Sequence, residues 1–80
     1  MQLISVDVIQ ANSPSGAVRP LRFRIEGRSV NIGRILFSET TRSVSGDLLV
    51  YHCETCEGSL MQRYRLTLYP KAHIWYLAVV

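Results

Sequence analysis

The segment from Leu21 to Phe37 constrains the fold most, because its apolar and polar side chains alternate on both sides of a reversal at Glu26-Gly27. Strict period-two alternation is typical of a strand that buries one face. The apolar positions change parity once, at Gly33-Arg34, and an extra residue there, as in a β-bulge, would return them to one face. We therefore predict a β-hairpin with a bent second strand and an outer face that carries arginine side chains.

Further strand-like segments lie at residues 3–10, 48–53, 60–69 and 73–80. Two polar stretches, residues 11–17 and 38–47, are predicted to be loops because they are rich in turn residues. Short strands with tight turns favour a small barrel, which also hides its edge strands. We predict an all-β chain with a single domain over residues 1–80. Its expected fold is a small antiparallel β-barrel (SH3-like) of five or six strands, with a bent third strand.

The lengths of the apolar runs and the cysteine content predict the cellular location of the domain. No apolar run approaches the roughly 20 residues of a membrane-spanning helix, and the first residues lack the basic segment of a signal peptide. Two cysteines three positions apart do not form the disulfide framework of a small secreted protein. We therefore predict a cytoplasmic location and no association with a membrane.

Arginine dominates the positive charge, since eight of the nine basic residues are Arg and the net charge is +3. Guanidinium groups suit phosphate and carboxylate recognition. If the strands that carry them are neighbours, five arginines share one outer face and form a candidate nucleic-acid surface. These residues are Arg22, Arg24, Arg28, Arg63 and Arg65. The alternative is an ordinary solvated face without a ligand.

The final strand is apolar on both sides, as is the earlier strand at Leu48, Leu49 and Val50, which is unusual for a sheet that has one face in water. Its central residues, Trp75, Tyr76 and Leu77, are therefore candidates for a protein interface, including one between two copies of the chain. The alternative is that these residues simply belong to the core and to the scattered exposed apolar surface that all proteins have.

Cys53 and Cys56 have the spacing of a zinc-binding pair, with His52 as a third candidate ligand. Residues three apart on a regular strand face opposite sides, so the two sulfurs converge only if the strand ends by Glu54. Structural thiols and a redox pair are the alternatives. We expect no cofactor.

Enzymatic patterns are absent from the sequence. The carboxylates are scattered, and there is neither a Gly-x-Ser-x-Gly elbow nor a glycine-rich phosphate loop. The sequence therefore favours a non-enzymatic binding module whose partner, nucleic acid or protein, it does not identify.

One hairpin resembles that of a known family. The run from Pro20 to Arg28, followed by Val30 and Ile35-Leu36, resembles the opening of an uncharacterised family of small bacterial β-domains. The ending Trp75-Tyr76-Leu77 is similar to that of the same family. The resemblance implies a small bacterial β-domain and supplies no activity and no site residue.

Overall fold

The computed structural model describes residues 3–44, 46–57 and 59–79 of the chain. These residues form seven antiparallel β-strands in one sheet, and no helix occurs among them. The strands are β1 (Ile4–Asn12), β2 (Val18–Ile25), β3 (Arg28–Asn31), β4 (Arg34–Ser43), β5 (Gly46–Glu57), β6 (Leu60–Tyr69) and β7 (Ile74–Val79). A helix that could cross a membrane is accordingly absent from this part of the chain.

The order of strands across the sheet explains its curvature. Strands lie in the order β3-β2-β1-β7-β6-β5-β4, so β3 and β4 are the two outermost strands. Only Ile32 and Gly33 connect them, and a two-residue link cannot span a flat seven-stranded sheet. The sheet therefore curls into a half-barrel that brings its edges together. The Gly33 amide donates a hydrogen bond to the Glu54 carbonyl oxygen on β5, at 3.0 Å.

The core fills the inside of the curl. Phe23 on β2 meets Tyr64 on β6 edge to face, with ring centroids 5.2 Å apart. The Tyr51 hydroxyl on β5 donates to the Val18 carbonyl oxygen on β2 at 2.7 Å. These contacts join strands that are far apart in the sheet order, so they hold the curl closed from within. The buried cluster comprises Phe23, Val30, Tyr51, Cys53, Tyr64, Leu66, Leu68, Trp75 and Leu77.

The predicted hairpin exists, but its irregularities differ from the expected one. The reversal at Glu26-Gly27 joins β2 to β3 as predicted. The chain breaks strand pairing at Ile32-Gly33, and the register shift of the following strand lies at Leu36, between Ile35 and Phe37. Ile32 and Ile35 both pack against the core, as predicted from the parity change at Gly33-Arg34, but the shift at Leu36 turns Phe37 to the outer side, where it stacks on His52. A second shift, at Leu21, lies in the pairing of β2 with β1.

The loop predicted for residues 38–47 is wrong. Residues 38–43 continue β4, which pairs with β5 down to Ser43 and Gly46. This stretch is polar because it belongs to an edge strand whose side chains are exposed on both faces. Its sequence therefore lacks the apolar alternation that predicts a strand. The seventh strand, against the predicted five or six, arises because the predicted third strand is divided at Ile32-Gly33 into β3 and β4. Of the turn predicted at Glu57-Gly58, Gly58 lies outside the described residues, as does Val80 of the predicted final strand.

Candidate interaction surface on the outer face of the sheet

Outward-facing side chains of β4, β5, β6 and β7 form one continuous surface. Cross-strand partners share a face, and the pairings align Glu39, Val50, Thr67 and Tyr76 in one row across the four strands. Rows of the same kind lie on either side of it. We call this surface the outer patch, and define it as Glu39, Thr41, Leu48, Val50, Arg65, Thr67, Tyr69, Tyr76 and Ala78.

The floor of the outer patch is apolar. Val50 is 7% exposed and Ala78 is 1% exposed, although both lie on the side of the sheet opposite to the core. Longer side chains around them therefore cover these positions. A shallow groove of about 220 Å³ lies above this floor, lined by residues that include Leu48, Val50 and Tyr76.

Pairs of aromatic rings lie at two places on the outer side of the sheet. Tyr69 and Tyr76 pack edge to face, with ring centroids 5.2 Å apart. Phe37 stacks on His52 at 4.1 Å, and Phe37 remains 55% exposed. Ring pairs of this kind fix side chains in position before any partner arrives.

Charges of both signs surround the apolar floor. Glu39 on β4 lies 3.4 Å from the His52 ring nitrogen, and Arg65 on β6 lines the same groove. Next to the outer patch, Glu54 bridges Arg34 at 3.5 Å and Arg63 at 3.8 Å. The surface is therefore mixed in charge rather than strongly basic.

The five arginines of the predicted nucleic-acid surface do not share one face. Arg22 and Arg24 lie on the outer side of β2, and Arg63 and Arg65 on the outer side of β6. Strands β1 and β7 separate the two pairs, by about 14 Å along a curved sheet. Arg28 pairs with Ile25, which packs against the core, so it lies at the hairpin end on the opposite side of the sheet. The condition that the Arg-bearing strands be neighbours is not met.

The three residues of the predicted interface divide between two faces. Trp75 and Leu77 point into the core, with 5% and 0% exposure. The Trp75 indole Nε1 donates to the Gln10 side-chain oxygen at 3.1 Å. Tyr76 alone of the three faces outward. The second apolar face that the sequence indicated is thus the outer patch, to which Tyr76 contributes and the other two do not.

The geometry is wrong for a zinc site at Cys53 and Cys56. Strand β5 continues to Glu57 instead of ending by Glu54, so Cys53 faces the core while Cys56 is exposed on the outer side. Burial raises the pKa of the Cys53 thiol to about 11, which disfavours the thiolate that a metal requires. His52 stacks on Phe37 instead. No metal-binding group of three or more His, Cys, Asp or Glu side chains occurs within residues 3–44, 46–57 and 59–79.

The sequence did not predict that several residues of the outer patch would belong to an interaction surface. Glu39 and Thr41 lie in the stretch predicted to be a loop. The doubly apolar run at residues 48–50 did indicate an unpaired face. What the sequence does not show is that β5 and β7, on either side of β6, turn these faces to the same side.

Comparisons with known proteins bring no further information. The chain matches no protein-family model, no curated protein and no solved structure. The resemblance of its Pro20–Arg28 hairpin to a bacterial β-domain family stays a prediction, so any function must be argued from the surface itself.

Proposed function

We propose that this chain is a cytoplasmic, non-enzymatic protein-binding module that takes its partner on the outer patch. One observation carries the proposal: an apolar floor at Val50 and Ala78 lies on the side of the sheet away from the core, beside the Tyr69–Tyr76 ring pair. The bend at Gly33, where one segment pairs first with β2 and then with β5, supports an SH3-like barrel as the scaffold.

The composition of the outer patch supports a protein partner. The centres of protein–protein interfaces are poor in charge and rich in aromatic residues and arginine, and polar groups form the rim. The outer patch combines both kinds of residue, since Leu48, Val50 and Tyr76 line the groove together with the charged Glu39 and Arg65. Nucleic acid would require an excess of positive charge at this place, and the nearby acids oppose it.

A binding role also agrees with how the reactive side chains are used. The Cys53 thiol is part of the core and its pKa is raised by burial. His52 is held between the Phe37 ring and Glu39. These contacts serve packing and surface structure, which is the expected use of such residues in a module without catalysis.

Site-specific photocrosslinking tests this function. The photoreactive residue p-benzoylphenylalanine is introduced in place of Tyr76, and the chain is irradiated in the cells that produce it. We expect covalent protein adducts, because the probe then stands inside the interface. The matched control carries the same probe in place of Ile9, which is 50% exposed on the outer face of β1.

Equal adduct formation from the two positions would contradict the proposal, as would adducts that disappear on nuclease treatment. The absence of adducts from both positions would also count against it.

A second candidate function, nucleic-acid binding, is favoured by the outer face of β2. The register shift at Leu21 keeps three exposed arginines on one side of that strand: Arg19, Arg22 and Arg24. Asp7 is the cross-strand neighbour of Arg24 and reduces the local charge at one end. This row supports contacts to successive phosphates of one strand, without a stacking platform among its members.

Salt dependence tests this second function. Binding to a labelled single-stranded oligonucleotide is measured by fluorescence anisotropy, and a slope of about −0.7 in log K against log salt is expected per phosphate contacted. Replacement of Arg19, Arg22 and Arg24 by Gln should flatten that slope, whereas Arg42→Gln on the distal part of β4 should leave it unchanged. Absence of binding at about 50 mM salt, or equal slopes for all variants, would exclude this function.

A further inference from the structure

We propose that the occupant of the outer patch is a second copy of this chain, bound face to face about a twofold axis. This inference rests on the proposed function and names its partner. A self-complementary surface must place opposite charges together, and apolar groups against apolar groups, under the symmetry operation. The outer patch meets that requirement twice, once with its charged residues and once with its apolar ones.

The charged pair is Glu39 and Arg65. Both line the same groove, Glu39 from β4 and Arg65 from β6, with β5 between them. Two strand spacings, about 10 Å, therefore separate them across the sheet. A twofold axis in the interface plane that crosses β5 between Val50 and His52 places Glu39 of each copy opposite Arg65 of the other. Because the contact is isologous, the pair forms twice.

The apolar residues obey the same symmetry. The step from Leu48 to Tyr76 is two strands across and one outward-facing residue along, which is also the step from Glu39 to Arg65. On a regular sheet, with about 4.8 Å between strands and about 6.8 Å between successive outward residues, one axis relates both pairs. Tyr76 of each copy then covers Leu48 of the other.

The size of the outer patch sets the expected strength. It is up to four strands wide and up to three outward residues long, about 20 Å by 20 Å at its widest, and it lies on the convex side of the sheet, so two copies together bury at most on the order of 800–1,000 Å². Stable dimers generally bury more than this, and interfaces of this size belong to weak, reversible complexes. We therefore expect a dimer that forms between micromolar and millimolar concentration rather than a permanent one.

A charge-swap series in the analytical ultracentrifuge tests this arrangement. The monomer–dimer dissociation constant is measured by sedimentation equilibrium from about 10 μM to about 1 mM chain, at low salt. We expect Glu39→Arg and Arg65→Glu each to weaken the dimer about tenfold or more, since each places like charges together twice. The double variant Glu39→Arg/Arg65→Glu should regain affinity to within about threefold of the natural chain.

Two controls accompany the series. Arg22→Glu, on the outer face of β2, changes the net charge by the same amount as Arg65→Glu and should leave the dissociation constant unaltered. Tyr76→Thr should weaken the dimer without any change in charge, so the test does not depend on the folding of the charge variants alone. Circular dichroism establishes that each variant is folded.

The outcomes separate this inference from the proposed function. A natural chain that stays monomeric to about 1 mM, while the Tyr76 probe forms adducts with other proteins, would overturn the second copy and leave the binding function standing. A dimer whose dissociation constant does not change in the charge-swap variants would overturn the twofold arrangement. No dimer and no adducts would overturn both.

Discussion

The Gly33 amide donates to the Glu54 carbonyl oxygen at 3.0 Å, and this bond ties the link between the sheet edges to the middle of β5. It lies where the chain passes from β3, at one edge of the sheet, to β4 at the other. A Cβ at Gly33 would lie 3.3 Å from the same carbonyl oxygen, closer than most Cβ contacts in proteins. The position thus requires both an N–H donor and a small residue, and the reason is the close approach of two backbones.

Substitutions at Gly33 should therefore destabilise the fold to different degrees. Gly33→Ala forces a small backbone shift and should lower the free energy of unfolding by about 1 kcal/mol. Gly33→Pro removes the donor and leaves the Glu54 carbonyl oxygen without it, so the loss should be larger, about 2–3 kcal/mol. Urea denaturation measures both. A proline variant as stable as the alanine variant would contradict the role of the hydrogen bond.

Tyr51 should contribute to stability through its hydroxyl. That group donates to the Val18 carbonyl oxygen at 2.7 Å, and Tyr51→Phe should cost about 1 kcal/mol in the free energy of unfolding. The matched control is Tyr64→Phe, because the Tyr64 hydroxyl has no hydrogen-bond partner among the described residues while its ring packs on Phe23. Urea denaturation should show a loss for the first variant only. Equal losses would show that the hydrogen bond to Val18 is not the source of the effect, since both variants keep their rings.

Local patterns in the sequence predicted the all-β class and most strands, and the reason is physical. Strands such as β6 alternate strictly because one face packs on the core and the other meets water. The second half of β4 has no such contrast, so its backbone pairing with β5 left no trace in the side chains. The sequence does not reveal the strand order either, since Arg22 and Arg63 show the same outward parity whether their strands are neighbours or three positions apart. The outer patch depends on that order, which is why only parts of it, Tyr76 in the final strand and the run at residues 48–50, were visible.

Truncation of Leu77 and of Tyr76 should destabilise the chain to different degrees, although both residues lie in the apolar final strand. Leu77 is fully buried, and Leu77→Ala should lower the free energy of unfolding by about 2–5 kcal/mol through lost burial and a cavity. Tyr76 packs only on the outer face, so Tyr76→Thr should cost about 1 kcal/mol, mostly its contact with Tyr69. Denaturation at low chain concentration, where no dimer contributes, compares them. A larger loss for Tyr76 would refute the assignment of the two faces.

The two thiols should differ in reactivity, and one of them should make stability depend on pH. Cys56 is exposed and Cys53 is buried, so a thiol reagent near neutral pH should modify one group in the native chain and two after denaturation.

Burial raises the pKa of Cys53 from 9.0 to about 11, so between these values the unfolded chain loses a proton that the folded chain keeps. The contribution of Cys53 to the free energy of unfolding should therefore be constant below about pH 9 and fall as the pH rises towards 11. The pKa of Tyr51 is also raised, by burial and then by the charge of Cys53, and acts in the same direction above pH 10. Cys53→Ala should flatten the fall between pH 9 and 10, whereas Cys56→Ala should retain it; equal curves for the two variants would show that Cys53 is not its source.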